Sequence, residues 1–217
     1  MFITHLGHAC VLLEVAGTRI LIDPGVFTPG FEQLTGLDAV LVTHVHGDHY
    51  DAARLPALMS ANPDARLLAE PGTAARLTAA GLDAAPLAAG DAVTLGALTV
   101  TAAGGRHAAV HRDVPRVGNV GLLVGAEGEP TLFHPGDSYE TVPAGVDVLA
   151  VPLGAPWAAL RETIDFVRAV AAPVAVPIHE GTLSAGGRGI HLSTLTGLVA
   201  DRTEVRDLAG AGATSLG

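Results

Sequence analysis

Short runs in which apolar residues alternate with polar ones, or outnumber them, open the chain at 2–5, 10–15, 19–22 and 39–43. Turns bearing glycine or proline, such as Ala16-Gly17-Thr18 and Asp23-Pro24-Gly25, separate them, which predicts β-strands. A helix is expected over 51–60 with Asp51 as its N-cap, then a strand at 66–69. Pro71 suits the first position of a second helix, where its fixed φ is already helical. Further strands are expected at 92–95, 98–102, 120–124 and 131–133. The last third alternates strand (146–151), helix (158–171), strand (174–178), helix (193–200) and strand (203–206). This order fits two sheets packed face to face with helices outside. The tail 209–217 is glycine-rich and reads as loose. No interdomain linker is visible, and 217 residues suit one domain spanning 1–217.

Composition narrows the class. Hydrophobic residues make up 49% and charged residues 16%, which supplies a buried core and argues against disorder. The apolar stretches 146–153 and 170–178 are interrupted and fall short of the roughly 20 residues that span a bilayer. The N-terminus has no basic segment before an apolar one, so no signal peptide is expected. The single cysteine, Cys10, excludes an intramolecular disulfide and reads as a small core residue. A cytoplasmic location follows as an expectation. The net charge is −10 and every cation is an arginine, a poor footprint for nucleic acid or an anionic membrane.

The candidate chemistry lies in the ten histidines. His44, His46, Asp48 and His49 fall within six positions, directly after the apolar run Ala39-Val40-Leu41-Val42. So many polar rings at the end of a buried strand need partners, and a divalent cation supplies one for each. His44 and His46 point the same way in an extended segment, and Gly47 lets the chain turn Asp48 and His49 toward a second point. Imidazole with carboxylate suits zinc, iron or manganese.

Thr43-His44-Val45-His46-Gly47-Asp48-His49 resembles the HxHxDH signature of the metallo-β-lactamase superfamily. Four further segments resemble its other motifs, in order: Ile20–Pro24, Gly105-Arg106-His107-Ala108, Phe133–Ser138 and Val176-Pro177-Ile178-His179. The opening His5-Leu6-Gly7-His8-Ala9 and the compact length are similar to the branch containing L-ascorbate-6-phosphate lactonase. The resemblance implies an α+β protein, an αββα four-layer sandwich, with two divalent metal ions at one edge. Zinc is expected first, with manganese or iron as alternatives. It implies His44, His46 and His107 at one ion, Asp48, His49 and His179 at the other, and Asp137 bridging both.

Around this set several residues stay open. His111 competes with His107 from the same loop, and the Gly-Arg-His-Ala context favours His107. Asp23, His8 and His134 are candidates to hold ligands from behind, with His5 after them; Asp23 would orient a histidine through its second nitrogen. His191 is expected outside the ligand set. Glu180 is either a partner of the site or a surface carboxylate. Trp157 either lines the pocket or packs in the core. Arg106 either makes a surface ion pair or meets an anionic substrate group.

A water activated by two ions, with Asp48 receiving or returning its proton, implies hydrolysis of a small ester, lactone, amide or phosphoester. His134, His111 and His191 are the candidate leaving-group acids. Phosphodiesterase or ribonuclease activity, a diiron redox centre and passive metal binding are the alternatives. The expected partner is a small-molecule substrate, with neither nucleic acid nor membrane, and self-association left open.

Overall fold

The structure is a computed structural model and describes residues 1–216. Its first half runs β1 (Phe2–Gly7), β2 (Cys10–Val15), β3 (Thr18–Ile22), β4 (Ala39–Val42), α1 (Leu55–Ala61), β5 (Arg66–Ala69), α2 (Pro71–Ala79) and β6 (Ala84–Pro86). The second half runs β7 (Ala92–Leu95), β8 (Leu98–Gly104), β9 (Val120–Gly125), β10 (Leu132–His134), β11 (Val148–Pro152), α3 (Leu160–Val170), β12 (Val174–Ile178), α4 (Ala185–Val199), β13 (Glu204–Val205) and β14 (Thr214–Ser215).

Two seven-stranded sheets result, ordered β14-β1-β2-β3-β4-β5-β6 and β13-β12-β11-β10-β9-β8-β7. Each joins an antiparallel part to a parallel part, with the change at β3 in one sheet and β10 in the other. The plan is repeated although the sequence carries no visible repeat.

The layers follow from side-chain alternation. All four residues of β4 are buried, because a parallel strand covered on both faces has no solvent side. Ala39 and Leu41 point between the sheets, into a core that also holds Val100, Leu122, Val148 and Val176 of the second sheet. Val40 and Val42 point the other way, against Leu55 and Leu58 of α1 and Leu77 of α2. In the second sheet, Leu149 and Val151 of β11 meet Ile164 and Val167 of α3 and Leu195 of α4. The molecule is therefore an α+β, four-layer αββα sandwich. Cys10 is fully buried, and burial pushes its thiol pKa up. Among the described residues no helix is long and apolar enough to cross a membrane.

Several boundaries differ from the sequence expectations. Helix α1 starts at Leu55, because the Asp51 carboxylate accepts the Ala53 and Arg54 backbone N–H groups (2.8 and 3.0 Å) and holds a turn there. Helix α2 does open at Pro71, with the Glu70 carboxylate accepting from the Gly72 and Thr73 N–H groups. Helix α3 spans 160–170, and Glu162 reaches back to the Ala159 N–H at 2.8 Å. Helix α4 begins eight residues early, at Ala185, where Ser184 Oγ accepts the Gly187 N–H; its glycines had disguised the helical pattern as a loop. The three-residue β6 was too short to register.

The tail is tied down as far as Leu216, against the expectation of a loose end. Thr214 and Ser215 pair with β1, and Leu216 is buried and donates its N–H to Met1 O. Gly217, the last residue of that expected tail, lies outside the described residues.

Candidate metal centre

The parallel strands deliver the site. His44, His46, Asp48 and His49 follow β4, Asp137 follows β10, and His179 follows β12. His107 arrives on the loop after β8. The two sheets are stitched together here: His44 forms a bridge with Asn119, and the Val120 N–H donates to Thr43 O at 3.0 Å. Residues at strand ends on a rigid scaffold are well placed for chemistry.

Two groups of ligand-type atoms form, each within 4.8 Å of one another: His44, His46, His107 and Asp137, and His8, Asp48, His49 and His179. Asp137 reaches both. Its Oδ1 lies 3.0 Å from His49 Nε2 and 3.2 Å from His179 Nε2, while Oδ2 lies 3.4 Å from His107 Nε2.

The partners behind each ring decide which nitrogen faces inward. His49 Nδ1–H donates to Asp23 Oδ2 at 2.6 Å, His107 Nδ1–H to Ala108 O at 2.7 Å, and His179 Nδ1–H to Gly154 O at 2.8 Å. Thr43 Oγ1 gives its proton to Asp23 Oδ2 and accepts from His44 Nδ1 at 3.0 Å. In the neutral form of all four rings Nε2 is then the bare lone pair. His46 instead directs Nδ1 inward, 3.1 Å from His44 Nε2. His8 is the exception: its Nδ1 accepts the Gly181 N–H, so Nε2 carries the proton and donates to Asp48 Oδ2 at 3.2 Å. His8 therefore orients Asp48 and does not itself offer a lone pair.

This arrangement suits cations. His49 Nε2, His107 Nε2, His179 Nε2 and Asp137 Oδ1 are buried without a hydrogen-bond partner, although they lie close together. They converge on common points and are not aligned on one another. Leaving each such atom unsatisfied costs about 1–3 kcal/mol. A divalent ion among them satisfies several at once, and imidazole and carboxylate are the donors it takes.

The electrostatics favour positive charge beside the Asp137 and Asp48 carboxylates. Burial together with the neighbouring rings holds His44 well below the ordinary histidine pKa. Burial would lower His49 too, but the Asp137 and Asp23 carboxylates outweigh it and raise it well above. His179, against the same pull of burial, is raised to about 9 by Asp137 and Asp48. Burial would raise Asp48, yet the nearby His179 ring and the hydrogen bond from His8 keep it well below the usual carboxylate range.

Strained backbone supports the candidate ligands. His8, Asp23 and His179 have φ of 50°, 50° and 61°, a left-handed region that costs a non-glycine residue about 1–3 kcal/mol. Hydrogen bonds hold them there: the His179 N–H donates to His8 O (2.7 Å) and the Asp23 N–H to Leu41 O (2.9 Å). Gly136, at φ 60°, lets the chain turn into Asp137; a Cβ there would strike Asn119 Oδ1 and lie 2.9 Å from Thr43 Cβ. A Cβ on Gly25 would collide with the Asp48 and His49 backbone, so that turn packs directly beneath the histidine run.

A family model described as the beta-lactamase superfamily domain matches residues 2–179. The chain belongs to the metallo-β-lactamase superfamily. It is 46% identical to Protein Rv0786c of Mycobacterium tuberculosis, over 90% of this chain and 92% of that one. It is 34% identical to a UPF0173 metal-dependent hydrolase of Azorhizobium caulinodans, over 84% and 86% of the two chains, which places it among those metal-dependent hydrolases. Among solved structures, Igni18, a metallo hydrolase of Ignicoccus hospitalis, superposes with a TM-score of 0.72 at 17% identity, covering 100% and 99% of the two chains, and shows the shared fold.

In this superfamily member the other expected residues fall as follows. Asp23 is fully buried behind His49 and Thr43. His134 is equally buried, but its Nε2 donates to Ala9 O and its Nδ1 accepts from the Gly136 N–H. Both nitrogens are occupied, so it fixes the turn before Asp137 and is no leaving-group acid. His111 is exposed beside Asp113 and stands outside both groups. His191 is tied to Leu153 O, and Arg106 is exposed. Glu180 lies near His5 and Arg188, behind His8, whose carbonyl accepts from His5 Nε2. Trp157 reaches the site, donating its indole N–H to Asp137 Oδ2 at 2.8 Å. Sequence reasoning passed over Asn119, which accepts the Asp137 N–H and donates to Pro135 O. A lone asparagine before a strand gives no signal, because its partners come from another part of the sheet.

His107→Ala is expected to lower the metal content of purified protein. His111→Ala should leave it unchanged, since that ring is exposed beside Asp113. Elemental analysis of the two variants checks this, and the reverse result would transfer the loop's role to His111.

Proposed function

We propose that this chain is a dinuclear hydrolase of small esters, lactones, amides or phosphoesters. His44, His46 and His107 would hold one divalent ion, Asp48, His49 and His179 the other, and Asp137 would serve both. The observation that carries this reading is the set of four buried, partnerless atoms on His49, His107, His179 and Asp137, each ring turned so that a lone pair faces the others. Zinc is the first candidate, with manganese or iron next.

Bound divalent ions would supply Lewis-acid polarisation of the substrate and acidify water near neutral pH. The chain's own residues do the rest. His8 Nε2–H holds Asp48 through Oδ2 and leaves Oδ1 to receive a hydrogen bond from the attacking water. The Asp48 side chain is 26% exposed, the most open of the two carboxylates, so it faces the side from which substrate arrives. Asp23 and Thr43 keep His44 and His49 in the tautomer that binds, without entering the reaction. The UPF0173 metal-dependent hydrolase relative extends over 84% of the chain, which supports carrying hydrolysis to this one.

Reconstituted protein is expected to bind two equivalents of zinc, manganese or iron and to turn over at least one member of a panel of lactones, phosphodiesters and thioesters. Elemental analysis and the panel on the same sample check both parts. Folded protein that stays near zero equivalents would remove the metal assignment. Two bound ions with no hydrolysis across the panel would favour a redox or passive role.

A further inference from the structure

Trp157 is the chain's only tryptophan. It stands on the loop between β11 and α3, inside the small bridge formed by Ala155 and Ala158. The ring is braced from behind. Tyr139 meets it edge-on with centroids 4.8 Å apart, and Tyr139 stacks on Phe166 of α3 at 4.5 Å. The Tyr139 hydroxyl is itself fixed, donating to Pro152 O at 2.6 Å. The indole therefore cannot follow Asp137 if that carboxylate moves.

The hydrogen bond from Trp157 Nε1 falls on Oδ2 alone, at 2.8 Å. Oδ1 is left buried and partnerless, between the His49 and His179 nitrogens. The Asp137 side chain has a broad, nearly two-fold terminal torsion, so nothing intrinsic to it selects which oxygen points where. Its backbone is held by Asn119, but that contact fixes the Cα and not the carboxylate plane.

We propose that Trp157 is a positioning residue of the metal centre, its indole N–H setting the rotation of the Asp137 carboxylate so that Oδ1 is presented to His49 and His179 while Oδ2 stays toward His107. This rests on the reading of the cluster as a dinuclear site. A tryptophan that only walls the site needs its ring but not its N–H. A tryptophan that aims Asp137 needs the N–H.

One tryptophan per chain makes a single-atom test possible. Biosynthetic replacement of tryptophan by benzothienylalanine exchanges the indole N–H for sulfur and keeps the fused ring. Metal-free protein of both kinds is titrated with zinc and, separately, with cobalt, whose visible absorption reports the ligand field. The expected result is a loss of at least about tenfold in the weaker of the two binding steps, the usual cost of removing a partner behind a ligand. The cobalt bands should shift, while circular dichroism and Tm stay the same. Trp157→Phe should show the same loss. Two unchanged binding steps in the benzothienyl protein, with a loss only in Trp157→Ala, would overturn the assignment and leave the indole a packing role. If unsubstituted protein takes up neither zinc nor cobalt, the metal reading falls and this inference falls with it.

Discussion

Asp48→Asn is expected to depress turnover by about 10²–10⁴-fold, the range typical of lost acid–base assistance. The substitution keeps the shape and one oxygen but removes the negative charge. In the wild-type chain that charge is secured by His8 Nε2–H at 3.2 Å. With the remaining oxygen taken by His8 Nε2–H, the amide turns an N–H donor toward the water and the proposed second ion loses an anionic ligand, so metal content should fall as well. The fold should persist, because the side chain lies at the solvent edge and belongs to none of the three apolar cores. The measurement is turnover of an accepted panel substrate at saturating metal, with circular dichroism as the folding control. Unchanged turnover with both ions bound would remove Asp48 from the mechanism.

Asp23→Ala is expected to cost stability directly. The Asp23 carboxylate is fully buried and takes the Thr43 N–H (2.8 Å), the Thr43 hydroxyl (2.7 Å) and His49 Nδ1–H (2.6 Å). Alanine leaves a backbone N–H and an imidazole N–H buried without an acceptor. Breaking a buried, charge-assisted contact in this way costs about 3–5 kcal/mol. For a chain of this size each kcal/mol moves Tm by about 2–4 °C, so a fall of about 6–20 °C is expected. Denaturant and thermal melts of metal-free protein measure it without interference from bound ions. A loss under about 1 kcal/mol would mean that His49 is held by other contacts. His49 would also lose the partner that fixes its tautomer, so metal affinity should drop about 10–100-fold.

Much of the architecture was legible from local pattern alone. The strands at 10–15, 66–69, 92–95 and 174–178 match their expected spans, because each is a short apolar run closed by a turn residue. The grouping of His44, His46, Asp48 and His49 was equally legible, since their spacing lies within one segment and needs no long-range contact. Local pattern failed where glycine or a side-chain cap redirects the backbone. The Gly-rich start of α4 read as a loop, and the Asp51 turn read as a first helical turn. It failed again at the tail, where two residues pair with β1 only because that sheet leaves an edge for them.

The sequence by itself determined the layered α+β order and the donor chemistry, since both depend on residue type and short spacing. Tertiary structure alone decided which atoms converge. His107 and His111 are four positions apart on one loop, and only the packing of that loop against Asp137, through the Ala108 N–H to Asp137 O at 2.7 Å, brings the first inward and leaves the second in solvent. His8 and His179 lie 171 positions apart in the numbering, and the structure brings their rings to 3.9 Å. It also made His8 a donor to Asp48 and the other rings lone-pair bearers, through partners on separate strands and loops. A hydrogen bond fixes a tautomer at a range of about 3 Å, and no local run of residues can state which distant carbonyl or carboxylate will come that close.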